Sequence, residues 1–309
     1  MKIANVIVLW AAAWIGFPAP AVVPAALPDP NIDKELAGYW TFDETTGMVA
    51  HDISSNGNHG DLMGGFSFDN NSAADRFDNP TGALTFNGST DWVNILHSAS
   101  LDCYPQVTMA AWIKVPPNGF EKEYATIIGK DLAIELNSNY RGWTLMVPTN
   151  LSVMAWCANS TWITYVGNIT GTPGSVTQDV WHLVAATHDG TGITLYFDGV
   201  QDGDKVPMNE LESTADAPLV FGKGPDEFSD RHWAGAIDEI TIWNGALTAA
   251  EMFYLYQTQA PPPPLPTCRD LAGYWSTDLN QDCNIDLADF AILITNWLKC
   301  NDPEDPLCW

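Results

Sequence analysis

Basic residues are scarce in this chain of 309 residues, where 12 lysines and arginines stand against 38 aspartates and glutamates. The formal net charge is −26. A nucleic-acid-binding protein needs basic side chains against the phosphates, so this balance excludes that class of partner. The charge also disfavours an anionic membrane surface, and it favours solubility and cation binding. A solvated acidic surface by itself explains most of the excess.

Long apolar runs are absent except at the N-terminus. Lys2 precedes an apolar run from Ile3 to Phe17, and an Ala-x-Ala site follows at 19–21. Prolines interrupt this uncharged stretch and break any long helix; they are Pro18, Pro20, Pro24 and Pro28. The pattern predicts a signal peptide over residues 1–26 and disfavours the alternative, an uncleaved anchor. We therefore expect a secreted or cell-surface protein with no membrane span after cleavage.

Cys-x-x-Cys pairs are also absent, so a zinc site is the weaker interpretation of the six cysteines. In an exported chain these cysteines predict disulfides. The candidates are Cys103 and Cys157 in the large region, and Cys268, Cys283, Cys300 and Cys308 in the tail. The four in the tail allow three pairings, among which the sequence does not choose.

Helical periodicity is nearly absent from residues 33–258, where short apolar runs alternate with turn residues. Residues 107–115 and 193–197 alternate with the period of two that is typical of strands. A late strand is expected over residues 234–243. Many short strands joined by glycine- and asparagine-rich turns predict an all-β sandwich or jelly roll.

Two turns and one helix can be placed from the sequence. Asp198-Gly199 is a hairpin turn signal. The apolar segments 83–86 and 92–95, joined by Asn-Gly-Ser-Thr, predict another hairpin. A short helix is expected from Thr248 to Tyr256, because Thr248 can cap it with Glu251 three residues on.

A proline run marks a domain boundary. Pro261–Pro264, followed by Leu265-Pro266, predicts a stiff spacer over residues 259–267. The large domain then spans residues 33–258, and a separate small unit spans 268–309.

The small unit contains a candidate calcium loop at residues 278–289. Side-chain oxygens fall at loop positions 1, 3, 5, 9 and 12, with a backbone carbonyl available at position 7, a spacing that wraps six or more oxygens around one Ca²⁺. The predicted ligands are Asp278, Asn280, Asp282, Asn284, Asp286 and Asp289. An apolar stripe over 287–298 predicts a helix directly after the loop. The alternative is an acidic loop that binds no metal ahead of an amphipathic helix.

This tail resembles one calcium-binding repeat of type I dockerins, as found at the ends of planctomycete secreted proteins. The resemblance rests on DLNQDC at 278–283, DFAIL at 289–293 and NWL at 296–298. It implies a calcium-dependent tether to a cohesin-like or cell-surface partner. The chain departs from the family in having one repeat instead of two, and in placing Cys283 where glycine is usual. Two other interpretations of the tail therefore stay open: it docks to a different partner, or it is a disulfide-bonded cap at the end of the chain.

The large domain resembles the laminin-G-like, concanavalin A-like jelly roll. The matching blocks are GYWTFDE at 38–44, DISSNGNHG at 52–60, ALTFNG at 83–88, MAAWIK at 109–114, IIGK at 127–130, WHLVAAT at 181–187, LYFDG at 195–199 and GAIDEI at 235–240. The resemblance implies a two-sheet antiparallel jelly-roll sandwich with one concave sheet. The expected fold is therefore all-β, with a small C-terminal calcium loop–helix module.

The same resemblance implies a structural calcium near the first and last strands. Asp43 and Asp238 are the positions that match it, with the turn at 52–58 as a further contributor. Asp238 lies in an otherwise apolar strand, and a buried carboxylate needs a partner. A hydrogen-bonded core aspartate is the equally weighted alternative.

Aromatic residues crowd one stretch and are candidates for ligand binding. They are Tyr140, Trp143, Trp156 and Trp162. Flat rings stack on the apolar faces of sugars. Core packing is the competing interpretation, because β-sandwich cores also consume aromatics.

Motifs of known enzymes are missing. Glucanases of this fold carry a paired-carboxylate motif on one strand, and the chain has none. Glu121-Lys122-Glu123 is a charged loop, and Asp238 and Glu239 are expected on opposite faces of their strand. His182 and His188 show no serine or cysteine partner, and we expect them at the strand surface.

The sequence thus favours a secreted, non-catalytic recognition protein. Its jelly roll would bind a polysaccharide or glycoprotein, and its calcium-dependent tail would tether it. The alternative is a glycoside hydrolase of concanavalin A-like fold with a diverged active site.

Overall fold

The computed structural model describes residues 35–133, 140–158, 168–214, 217–224 and 230–260. Within these ranges the chain forms two antiparallel sheets that pack face to face, as predicted. The chain divides into two compact units, residues 1–260 and 261–309. The predicted signal peptide, the linker and the whole tail with its calcium loop and four cysteines lie outside the described residues.

The first sheet has nine strands. They are β1 (Glu35–Trp40), β4 (Ser72–Ala73), β5 (Ala83–Asn87), β7 (Val107–Lys114), β12 (Trp181–His188), β13 (Gly192–Phe197), β14 (Val200–Gln201), β15 (Val206–Pro207) and β17 (Ala234–Asn244). Seven of them run in the order β14-β13-β12-β7-β17-β5-β4, while β1 pairs with β17 and β15 with β13. The late strand expected over 234–243 is confirmed as β17.

The second sheet has eight strands. They are β2 (Val49–Ala50), β3 (Gly60–Met63), β6 (Trp92–Ile95), β8 (Tyr124–Ala133), β9 (Tyr140–Pro148), β10 (Met154–Ala158), β11 (Asn168–Thr170) and β16 (Leu219–Phe221). Their order is β11-β10-β9-β8-β16-β6-β3-β2. Three helical segments complete the described chain: α1 (Phe68–Asn71), a 3-10 turn (Ala99–Leu101) and α2 (Ala249–Gln259).

The main core lies between the sheets and follows from the alternation along the strands. On β7, Val107, Met109 and Ile113 point into this core and are fully buried. Their neighbours Ala110 and Trp112 point the other way, to the outer face of the nine-stranded sheet. Each large apolar side chain buried on either face of this strand contributes about 1.5–3 kcal/mol to the stability of the fold.

Helix α2 covers the outer face of the nine-stranded sheet. Met252 and Leu255 of α2 pack with Trp112 and Trp243 in a second apolar cluster. The helix begins at a complete capping box: the Thr248 hydroxyl accepts from the Glu251 amide, and the Glu251 carboxylate accepts from the Thr248 amide. The predicted helix start and its cap are therefore confirmed.

One of the two predicted hairpins is correct. Asp198 and Gly199, with φ values of 48° and 76°, join β13 directly to β14. The other prediction was wrong, because β5 pairs with β17 in one sheet and β6 pairs with β16 in the other. The segment 88–91 thus carries the chain from one sheet to the other, which a local turn signal does not distinguish from a hairpin.

Candidate functional site: the outer face of the eight-stranded sheet

A row of directly opposed residues crosses the eight-stranded sheet on the side that faces away from the core. Starting from the β11 edge they are Asn168, Trp156, Thr144, Gly129, Val220, Asn94 and Asp61, one on each of seven neighbouring strands. Directly opposed residues share a face of the sheet. Ala155, Leu145 and Val93, which adjoin members of this row in sequence, point into the core. We call this set the transverse row.

The transverse row is small in the middle and polar toward its ends. Gly129 has no side chain, and Thr144 is 1 % exposed and donates to Asp131 Oδ2 at 3.0 Å. Trp156 on one side and Asn94 on the other are half-buried. The row therefore places a half-buried indole next to a buried threonine and glycine, with amide groups further out.

A second row on the same face consists of two methionines between two threonines. Thr126 lies opposite Met146, Met146 opposite Met154, and Met154 opposite Thr170. Thr126 is fully buried, and the two methionines are 3 % and 9 % exposed. This second row runs alongside the transverse row and packs beside it on the same face of the sheet.

Cations sit over aromatic rings at two places on this sheet. The Nζ of Lys223 lies 4.5 Å from the ring centroid of Trp92, and the Cζ of Arg231 lies 4.9 Å from that of Tyr124. A cation over an aromatic face is attracted by the ring quadrupole. Such pairs hold both partners in place at the margin of the face.

The aromatic residues predicted to bind a ligand do not all lie on one surface of the structure. Trp156 lies in the transverse row, half-buried. Trp143 is 1 % exposed in the inter-sheet core, so its ring cannot stack on a ligand and the core-packing interpretation applies. Tyr140 begins β9, but its side chain lies outside the described residues, as does all of Trp162.

The other members of the transverse row were missed by the sequence analysis. Thr144, Gly129, Asn94 and Asp61 are ordinary strand residues in the sequence. Only the register between strands brings them into line. No local sequence signal could have found them.

A second polar site lies under α2 on the opposite sheet. Arg76 donates from Nη1 to Asp238 Oδ2 at 2.6 Å, from Nη2 to Glu239 Oε1 at 3.2 Å, and from Nε to the Gln259 carbonyl at 2.5 Å. The side chains of Arg76 and Asp238 are only 4 % and 2 % exposed. We call these four residues the Arg76 cluster.

The expectation that Asp238 and Glu239 face opposite sides was wrong. The register between β17 and β7 shifts between Asp238 and Thr241. Glu239 sits in this bulge with φ 51°, in the left-handed region. A bulge breaks the alternation of the strand, so both carboxylates reach the same guanidinium.

Burial dominates the electrostatics of this cluster. It raises the pKa of Asp238 to about 8, against the opposing effect of Arg76, and it raises the pKa of Glu239 to about 7. Burial also lowers the pKa of Arg76. Two buried carboxylates face one guanidinium, so the cluster disfavours full ionisation.

The contacts of the residues predicted to hold a structural calcium leave little room for the ion. Asp238 is hydrogen-bonded to Arg76, which is the alternative left open by the sequence, and Asp43 is exposed. Asp52 accepts from the Tyr39, Ser54 and Asn58 amides and from the Ser54 hydroxyl. Within the described ranges no three histidine, cysteine or acidic side chains are grouped to hold a metal. The donor set present here does not fit a calcium shell of six to eight oxygens.

The strand histidines are buried, contrary to expectation. His188 is fully buried and His182 is 8 % exposed. His182 Nδ1 lies 2.9 Å from Asp198 Oδ2, and its Nε2 lies 2.7 Å from the Thr177 hydroxyl. The Thr177 amide also donates to Nε2 at 3.3 Å, so Nε2 is an acceptor and Nδ1 carries the proton. This chain of contacts fastens the segment before β12 to the β13–β14 turn.

The match to a family model covers residues 87–252, just over half of the chain. That model is Laminin_G_3, the concanavalin A-like lectin/glucanases superfamily. The chain belongs to this superfamily. No curated protein matched the sequence.

Two solved structures with TM-scores above 0.5 share the fold of this superfamily domain at low identity, and a third structure is less similar. The binding domain of Paraclostridial Mosquitocidal Protein 1 is 16 % identical, with a TM-score of 0.54, over 73 % of this chain and 52 % of that one. Trypanosoma rangeli sialidase, in complex with a difluoro sugar acid, is 15 % identical, with a TM-score of 0.54, over 78 % of this chain and 36 % of that one. Domain 4 of a Geobacillus stearothermophilus arabinanase, in complex with arabinotriose, is 20 % identical, with a TM-score of 0.48, over 72 % of this chain and 99 % of that one. The chain spans about half or less of the first two structures, and the fold hosts both binding domains and enzymes.

The two cysteines of the superfamily domain are free thiols, so the prediction of a disulfide was wrong for them. Cys103 and Cys157 are both buried. Cys157 points into the core from β10, while Cys103 lies next to the 3-10 turn with its thiol 3.7 Å from the Ser100 carbonyl. Burial raises the pKa of Cys103 to about 12, and it raises that of Cys157 as well, which disfavours the thiolate that oxidation requires.

Proposed function

We propose that this protein recognises carbohydrate without cleaving it, and that the transverse row is the binding surface. The observation that carries the proposal is the half-buried indole of Trp156, directly opposite Thr144, with Gly129 on the next strand beyond Thr144. An indole face stacks on the C–H face of a pyranose. Amide and carboxylate groups at Asn94 and Asp61 would bind the hydroxyls. A polysaccharide or the glycan of a glycoprotein is the expected ligand class.

The carboxylates on this face support recognition over hydrolysis. Asp61 on β3 and Asp131 on β8 are separated by three strand spacings, about 14 Å. A glycosidase needs its two carboxylates within ~9.5 Å of each other. The adjacent carboxylates Asp238 and Glu239 lie on the other sheet and are closed off by Arg76 and α2.

We further propose that the protein is exported and that the tail tethers it. The proposal is supported by the apolar N-terminus, by the oxygen spacing at 278–289, and by membership of a superfamily with many extracellular domains. No helix in the described part of the chain is long and apolar enough to cross a membrane. A cohesin-like or cell-surface protein is the proposed partner of the tail, and Ca²⁺ is its proposed cofactor.

A glycan array tests the binding proposal, with Trp156→Ala as the decisive variant. We expect the wild type to bind at least one glycan class. Trp156→Ala should weaken that binding about tenfold, the equivalent of ~1.4 kcal/mol for one lost stacking contact. Trp181→Ala is the matched control, because Trp181 is also half-buried but lies on the other sheet.

Two results would contradict the proposal. The first is glycan binding that Trp156→Ala leaves unchanged while Trp181→Ala reduces it. The second is release of reducing sugar from a polysaccharide panel by the wild type, since that would favour a glycoside hydrolase with a diverged site.

A further inference from the structure

A second indole lies on the same face of the sheet as the transverse row. Trp92 is two residues from Asn94 on β6, so the alternation of the strand places both side chains on the outer face. Met63 on β3, directly opposite Trp92, is 38 % exposed, and Trp92 itself is half-buried. The face therefore carries one indole on β10, that of Trp156, and another on β6.

The two indoles are too far apart for one sugar ring to contact both. Three strands, β9, β8 and β16, lie between β10 and β6. The resulting four strand spacings amount to about 19 Å. A disaccharide is shorter than this distance, whereas a linear oligosaccharide of several units spans it.

The strands between the two indoles carry small or buried side chains on this face. Thr144 on β9 is 1 % exposed, and Val220 on β16 is 7 % exposed. Between them, on β8, Gly129 has no side chain and lies midway between the strands that carry the indoles. A ligand that contacts both indoles therefore crosses the face above Gly129.

The fold does not require a glycine at position 129. Its φ lies outside the left-handed region, and the bulge of β8 falls between Thr126 and Ile128. A Cβ at position 129 would lie 3.5 Å from Val220 Cγ2 and 3.6 Å from Thr126 Cγ2, which are ordinary contacts. Glycine weakens the interior of a strand, and it is often found where a ligand approaches the backbone closely. Close approach of a ligand accounts for Gly129 where backbone geometry does not.

A buried hydroxyl next to Gly129 lacks a partner. Thr126 is fully buried, and its Oγ1 has no hydrogen-bond partner among the residues that the structure describes. Leaving a buried hydroxyl unsatisfied is unfavourable. A sugar hydroxyl can both donate and accept, so it has the chemistry that this oxygen needs.

We propose that the ligand is a linear polysaccharide whose chain lies across the strands, from Trp156 over Gly129 to Trp92. Several consecutive sugar units are then bound at once, and a single terminal sugar is not sufficient. Lys223 lies over one face of the Trp92 ring, so the sugar is expected at the rest of that indole. The inference rests on the proposed function and specifies its ligand.

Isothermal titration calorimetry of the full chain with oligosaccharide ladders tests this. The probes are the disaccharide and the hexasaccharide of cellulose, xylan, mannan, chitin and arabinan. In at least one ladder we expect the hexasaccharide to bind about tenfold more tightly than the disaccharide, because only the longer chain reaches the second indole. Trp92→Ala should weaken hexasaccharide binding about tenfold. Trp181→Ala, on the other sheet, is the matched control and should bind the hexasaccharide as the wild type does.

Gly129→Val tests the path of the ligand between the indoles. Valine suits a strand and its Cβ fits at this position, so the melting temperature should equal or exceed that of the wild type. Its side chain would rise into the path of the chain, and hexasaccharide binding should weaken about tenfold or more. A lower melting temperature with unchanged hexasaccharide binding would overturn the place of Gly129 in this path.

The outcomes separate this inference from the proposed function. Equal affinity for disaccharide and hexasaccharide in every ladder that binds overturns the linear-chain inference alone. So does hexasaccharide binding that Trp92→Ala leaves unchanged, and so does a glycan array that identifies ligands when no ladder binds. Absence of binding to the array and to every ladder overturns the proposed function as well. The wild-type ladders decide the matter even where a variant does not fold.

Discussion

At the scale of single residues, the buried ion pairs of Arg76 depend on an irregular backbone conformation at Glu239. Glu239 has φ 51° in the middle of a long strand. A non-glycine residue there is strained by about 1–3 kcal/mol and persists only where surrounding contacts hold it. Here the contacts are those of the Arg76 cluster. The strain is the reason that two adjacent carboxylates can share one guanidinium.

The Thr177–His182–Asp198 chain also belongs to this scale, and it yields a prediction. Thr177→Val removes a hydroxyl that lies 2.7 Å from His182 Nε2. We expect a loss of about 1 kcal/mol in the free energy of unfolding, the usual net value of one hydrogen bond. Urea denaturation measures it. Thr46→Val, at an exposed threonine, is the control and should stay within about 0.5 kcal/mol of wild type.

A hydroxyl, a histidine and an aspartate in contact also occur in acyl-transfer triads, where the hydroxyl belongs to a serine. We assign this arrangement a structural role here, because the Thr177 amide occupies the same histidine nitrogen as the hydroxyl. Hydrolysis of an aryl ester by the wild type, lost in Thr177→Val, would contradict this assignment.

At the scale of elements, α2 shows how a helix with a weak apolar stripe is fixed by its ends. Its start is fixed by the Thr248–Glu251 capping box, and its end by contacts from Arg76 and Trp112 to Gln259. Between these ends, Met252 and Leu255 pack on the sheet. The cap satisfies amides that the first helical turn leaves without partners.

Thr248→Ala tests the importance of this cap. We expect a loss of about 1 kcal/mol in the free energy of unfolding, because the N-terminal amides of α2 lose their acceptor. Thr258→Ala near the other end of the same helix is the control, since its hydroxyl bonds only to carbonyls within the helix. Equal losses in the two variants would show that the cap contributes nothing specific.

At the scale of the whole molecule, the chain combines a folded superfamily domain with a strongly acidic composition. Sugar recognition is proposed for one sheet, and the other sheet is closed by α2. The two functions proposed for the protein thus depend on different residues, the transverse row for recognition and residues 268–309 for tethering. They can be tested separately.

At this scale we predict that the resistance of the tail to proteolysis depends on calcium. We expect calcium to slow proteolysis within 268–309, because six oxygen ligands would order the loop only with the ion bound. The double variant Asp278→Asn/Asp282→Asn should lose this protection, measured by mass spectrometry of the tail fragments. Jelly-roll fragments provide the internal control. Equal cleavage rates in calcium and EDTA would overturn the tethering proposal.

Much of the fold could be predicted from the sequence because strand alternation is a local property. The two faces of β7, the turn at Asp198-Gly199 and the cap at Thr248 each depend on residues close together in the chain. The prediction of a hairpin over 83–95 was wrong, because an Asn-Gly turn has the same sequence signal whether the chain returns to its own sheet or crosses to the other. Burial of His182 was missed because its partners lie 5 and 16 residues away on other segments.

The sequence by itself determined the alternating strands and the jelly-roll class, since each follows from the type and spacing of neighbouring residues. Only the tertiary structure decided which of the aromatics face outward, that Asp238 pairs with Arg76, and that seven residues from seven strands form one row. Strand register and sheet order bring together residues that are distant in the chain, and these long-range pairings are absent from any local pattern.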